Sequence, residues 1–129
     1  MRDLFLFLFL EVLAAINAAV SFSYLATHGR LLSIFVASSG FLLVGAVIIY
    51  KTWKNPRKFK MASFWMGHVH MWVTSVPMVV HRLLDLNFTS ESILGVPVSQ
   101  FHAFAQYVYY GLMVATVFDI SVEVLRKKK

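Results

Sequence analysis

The sequence predicts an all-α integral membrane protein, a bundle of four helices forming one domain over residues 1–129. Three observations carry that prediction. Of the 129 residues 59% are hydrophobic and only 14% charged, and the apolar runs are too long for a soluble core. Those runs recur at about 4–27, 30–53, 62–86 and 98–125, each long enough for a bilayer core at about 1.5 Å per helical residue. The basic residues gather between the runs and at the C-terminus, where they set the orientation of a membrane protein.

The first span, 4–27, is interrupted only by Glu11, Asn17 and a few hydroxyls. Its opening LFLFLFL alternates by shape and not by polarity, so it is no strand signal. It is longer than the apolar region of a signal peptide and contains Glu11, which predicts a retained helix. His28-Gly29-Arg30 is a very short connection to the second span, 30–53, whose centre is rich in Ala, Ser and Gly. Small residues let a helix or a flat cofactor approach the backbone closely, and ordinary helix packing asks the same of them. The stretch 51–60, KTWKNPRKFK, is a basic loop. The third span, 62–86, carries His68, His70, His81, Arg82 and Asp85, with Pro77 predicting a kink near His81. Residues 87–97 form a polar turn region with Gly95 and Pro97, and the fourth span, 98–125, precedes a terminal RKKK.

The absence of cysteine excludes disulfides, thiolate metal sites, iron–sulfur clusters and c-type haem, leaving histidine or carboxylate to hold any cofactor. The net charge of +6 belongs to membrane orientation and not to nucleic-acid binding. Four crossings put Arg2, the 51–60 loop and the C-terminal cluster on one side, with ten of the twelve basic residues; Arg30 and Arg82 are left on the other. Both termini are therefore expected in the cytoplasm, at the plasma membrane, and Asn87-Phe88-Thr89 becomes an outward-facing glycosylation sequon. No HExxH, P-loop or nucleophile elbow is present.

Ionisable groups at membrane depth are costly, so each histidine is a candidate site residue. Counting from the helix ends puts His28, His81 and His102 in an outer layer. His68 and His70 enter from the inner side, at the depth of Glu11 and Asp119, about 10 Å below the boundary. At about 100° per residue His70 and His81 share one face with Ser63, Thr74, Pro77 and Asp85, while His68 faces the opposite way with Ser75 and Arg82. A third helix polar on two faces is expected to be central. On the fourth helix His102, Gln106, Tyr109, Met113 and Thr116 form an inward seam.

Two histidines at equal depth on different helices are what a six-coordinate haem b needs, and His28 with His102 is the pair the counting selects. His81 competes with either, or bonds a propionate beside Arg82. The bland alternative is that these histidines bond each other, Asp85 or backbone carbonyls. A copper or zinc site from His28, His81 and His102 is another, and the inner layer reads as a proton relay, a hard metal site or charge pairs that ease burial.

His28-Gly29-Arg30-Leu31-Leu32 resembles the HG-x-LM opening of the core in b-561-type transmembrane cytochromes. Phe64-Trp65-Met66-Gly67-His68 resembles that family's aromatic pair before a histidine, and His102-Ala103-Phe104 stands where its third histidine helix begins. The resemblance covers about residues 28–118. It implies a helical haem-b electron carrier in which His28 and His102 ligate one haem, while His68 would pair with a histidine on a further helix, here supplied only by a partner subunit. His70 and His81 are extra to the pattern. The expected function is a small haem-b membrane subunit in electron transfer, in contact with lipid, other membrane subunits and a quinone. The competing expectation is a cofactor-free accessory subunit of a respiratory or monooxygenase complex.

Overall fold

The computed structural model describes residues 2–54 and 61–128. Helix α1 is Arg2–Ser23 and helix α2 is Arg30–Trp53, joined by a single 3-10 turn, Leu25–Thr27. The third helix, α3, runs over 62–84 in three consecutive pieces: α-helical Ala62–His68, a π-helical Val69–Ser75, and α-helical Val76–Leu84. A two-residue-per-strand hairpin follows, β1 (Ser92–Ile93) paired antiparallel with β2 (Val96–Pro97). Helix α4, Val98–Lys127, completes the chain. The expected spans 4–27 and 62–86 therefore end early, at Ser23 and Leu84, and the polar stretch 87–97 contains the hairpin. Arg57, Lys58 and Lys60 of the basic loop, and Lys129, lie outside the described residues.

The protein is all-α apart from that hairpin. Three of its helices, α1, α2 and α4, are long and apolar enough to cross a membrane, and only about a third of each apolar window is buried inside the protein (33%, 28% and 33%). Phe5, Phe9, Leu13, Ile16 and Val20 on α1, and Val114, Val117 and Phe118 on α4, point outward. Outward apolar faces of that extent belong against lipid.

The helices pack in cyclic order, α1 on α2, α2 on α3, α3 on α4 and α4 back on α1, with no contact between α1 and α3. The expectation of a central third helix is thus corrected: α3 occupies a corner. Its second polar residue set follows from the π segment Val69–Ser75. The core of Leu4, Phe7, Ala14, Val44, Ile48, Tyr109 and Leu112 fills one end of the ring.

Small residues make these contacts possible. A Cβ on Gly67 would stand 2.7 Å from Ile48 Cγ2, and one on Gly45 would stand 2.8 Å from Met71 Sδ. The glycine-rich centre of α2 therefore serves helix packing. Polar bonds pin the same contacts, Asn17 Nδ2 donating to the Val36 carbonyl across α1 and α2 at 2.9 Å. The N-terminus of α3 is capped by another helix. Asp119 of α4 accepts from the Ala62 and Ser63 amides at 3.1 and 2.8 Å and from the Ser63 hydroxyl at 2.5 Å, which satisfies orphan donors that Met61 cannot.

Candidate functional site

The feature that gathers the histidines is the π segment. Pro77 has no amide to donate and its ring crowds the carbonyl four residues before it, so an ordinary α-turn is unfavourable just there. The wider turn relieves both conflicts: Val76 donates to the carbonyl of Met71, five residues back. Thr74 Oγ1 donates to the His70 carbonyl at 2.5 Å, adding a bond inside the distorted stretch. Each π residue advances less about the axis than an α residue, so the seven of them shift the phase of the rest of α3. The kink expected at His81 is instead a π segment before Pro77.

That rotation changes which side chains face inward. His70 and Thr74 face the interior, as uniform phase predicts, but Ser75 and Arg82, expected opposite them, are also buried. All four line a cavity of about 660 Å³, together with His81 and with His102 and Tyr109 of α4. Ala15, Ala18 and Ala19 of α1 and Ala37 of α2 form its far wall. Short side chains there, facing bulky polar ones on α3 and α4, are why the space exists. Ile93 of the hairpin, itself buried, closes part of the cavity rim.

Within the cavity the three histidines have different surroundings. His70 is 3% exposed and its Nε2 lies 3.0 Å from the Phe41 carbonyl, with the Ser75 hydroxyl 3.3 Å from the same nitrogen. Its ring packs against Phe41 and Tyr109. His81 Nε2 is buried and has no hydrogen-bond partner among the described residues. His102 lines the cavity and is the most exposed of the three. Arg82, only 8% exposed, donates from Nη1 to the Asp85 carbonyl at 3.0 Å and places its guanidinium 4.0 Å from the centre of the Phe88 ring. Arg30 stands 3.8 Å from the same ring centre. Two cations thus share one aromatic ring near the hairpin end of the cavity.

Asp85 fixes the loop that carries Phe88. Its carboxylate accepts from the Thr89 hydroxyl (2.6 Å) and from the Thr89 and Ser90 amides (2.9 and 2.8 Å). These bonds, that from the Thr89 hydroxyl first, hold its pKa down at about 2. Thr89 of the sequon is therefore engaged, while Asn87 is exposed.

The other predicted site residues lie elsewhere. His28 is outside the cavity, exposed, with Nδ1 3.0 Å from the Thr27 hydroxyl and its ring against Tyr24. It sits in the turn between α1 and α2 because α1 ends at Ser23. His28 and His102 are thus not brought together in the cavity, and His81 and His102 are. His68 also faces away, accepting from Trp72 Nε1 at 3.1 Å and packing on Phe64. The inner layer does not assemble as one group: Asp119 caps α3, and Glu11 bonds Thr116. Residue counting missed Ser75 as a cavity residue and put Arg82, though expected beside His81 at a propionate, on the face away from His70; the signal for both was Thr74-Ser75-Val76-Pro77, hydroxyls before a proline inside a helix. Compared with known protein families, with curated proteins and with solved structures, the chain has no match.

Proposed function

We propose that this chain is a small integral membrane subunit that holds haem b in the histidine-lined cavity and takes part in electron transfer. In this reading α3 crosses the bilayer with α1, α2 and α4, making a four-helix bundle in the plasma membrane with both termini cytoplasmic. Ten of the twelve basic residues then share the inner side, in line with the positive-inside rule.

The observation that carries the reading is His81 Nε2, buried beside the cavity without a partner, with His102 on the facing helix lining the same space. An unsatisfied imidazole nitrogen in an apolar site costs free energy, and a metal ion is one of the few partners that removes that cost. Among the described residues no three of His, Asp and Glu converge closely enough to hold a bare ion. Haem asks for only two imidazoles, and a cavity of about 660 Å³ is of the size that takes such a ligand. His81 and His102 would hold the haem, Arg82 would face its carboxylates, and His70 would stay on the Phe41 carbonyl. When bound, the haem would supply a one-electron couple; the chain's own groups hold the ligand, screen it from water and balance its charge. A quinone and neighbouring membrane subunits are the partners this role requires.

The test is a dithionite-reduced minus oxidised spectrum of protein purified after expression with haem supplementation. A sharp low-spin α band is expected, abolished in His81→Ala and in His102→Ala and retained in His28→Ala and His68→Ala. A haem-replete preparation without that band would remove the proposal and leave the cofactor-free accessory subunit.

A further inference from the structure

Below the cavity lies a buried carboxyl for which haem binding has no use. Glu11 is 0% exposed and lies on α1 between Phe7 and Ala14, two residues of the apolar core. Thr116 Oγ1 donates to Glu11 Oε2 at 2.7 Å, and Oε1 has no hydrogen-bond partner among the described residues. Among the described residues no Lys, Arg or His forms an ion pair with it. Of the elements packed on α1, α4 presents Thr116 and Tyr109 to Glu11, and the buried side chains of α2 are all uncharged. The neighbouring titratable groups are otherwise engaged: Asp119 by the α3 N-terminus and His70 by Phe41.

A carboxylate in such a place loses its hydration with no cation to offset the loss, whereas a neutral acid needs only hydrogen bonds. Tyr109 makes the link to the cavity. Its hydroxyl donates to the Glu11 backbone carbonyl, while its ring lines the cavity and packs on His70 at 5.3 Å between centroids. Ala15, one turn along α1 from Glu11, lines the same cavity.

From this unpartnered carboxyl beneath the cavity floor we infer that Glu11 is a membrane-embedded proton-binding site, holding a proton that exchanges with the cavity past Tyr109. The site stands whatever fills the cavity. The ligand is a proton: an O–H bond forms at Glu11 Oε1 as one breaks on a hydronium ion at the cavity, and the reverse transfer returns the proton to water.

Infrared spectroscopy of the full chain in lipid nanodiscs tests it. Glu91 and Glu123 are the other two glutamates, both outside the buried core. A Glu91→Gln, Glu123→Gln chain labelled with 13C at the glutamate side-chain carboxyl therefore leaves Glu11 as the one reporter in its native setting. At neutral pH the label is expected in the C=O stretch of a protonated acid, shifting down on transfer to D2O, and Tyr109→Phe is expected to slow that shift by about tenfold or more. A label found only in carboxylate bands would overturn the inference, as would an acid band that does not shift in D2O. An unchanged exchange rate in Tyr109→Phe would overturn the route past Tyr109.

Discussion

Each ionisable side chain buried between the helices has its own reason to be there. Asp119 is a helix cap supplied from a distance: its two oxygens take two backbone amides and a hydroxyl at the start of α3, where the helix dipole also favours negative charge. Asp119→Ala leaves those donors buried and unsatisfied. It is expected to destabilise the protein by about 1.5–3 kcal/mol, the usual worth of bonds to a charged group, with loss of helicity at 62–68. Asp119→Asn, which keeps an acceptor, is expected to cost less. Thermal melts in detergent compare the two. Asp85 is a solvated anchor, and its effect is read in pH. Because its folded pKa lies below the usual 3.8 of an aspartate, at about 2, its stabilisation is complete above pH 4 and is lost as pH falls toward 2. Hydrogen exchange at the Thr89 and Ser90 amides is expected to accelerate in that window, and to be fast throughout in Asp85→Asn. Equal protection of the two proteins would show that the Asp85 bonds do not hold the loop.

At the scale of the element, helix positions were legible and helix phase was not. The apolar runs marked α1, α2 and α4 to within a few residues, because a membrane helix is announced by length and composition together. The inward seam of α4 was also legible, as Tyr109 and Thr116 reach Glu11. What uniform periodicity could not carry was the π segment of α3, since a turn of different pitch rotates everything beyond it. Arg82 and Ser75 were therefore assigned to the wrong face, and α3 was expected at the centre of the fold. Depth counting likewise paired His28 with His102, because it treats the end of a hydrophobic run as helix. The chain turns at Leu25–Thr27 instead, and His28 leaves the interior. The α2–α3 contact makes a sharper point about small residues: Gly67 stands so close to Ile48 that Gly67→Ala must move one helix. Overpacking of this kind costs about 1–3 kcal/mol, and in an Ile48→Ala background, where the Cγ2 methyl is gone, the penalty of Gly67→Ala is expected to shrink. Melting temperatures of the single and double variants measure that coupling; strict additivity would mean that the helices part without strain.

For the whole molecule, the cyclic order of helices and the distribution of charge make one connected claim about topology. The helices pack α1 to α2 to α3 to α4 and back, an arrangement that short connections produce only when neighbours run antiparallel. If α1, α2 and α4 cross the bilayer, α3 must cross too, since Trp53 and Met61 flank the basic loop on one side and Val98 starts α4 on the other. The histidine cavity then opens toward the side bearing Arg30 and Arg82, and Glu11 lies between it and the side of the basic loop, which the proposed orientation makes cytoplasmic. Single cysteines introduced into this cysteine-free chain at Ser92 and at Lys128 are expected to label from opposite faces of intact cells, Ser92 from outside and Lys128 only after permeabilisation. Labelling of both positions from the same face would break the antiparallel order. The cavity would then need a different wall, because His81 at the end of α3 and His102 at the start of α4 meet only if these helices are joined at one surface by the hairpin.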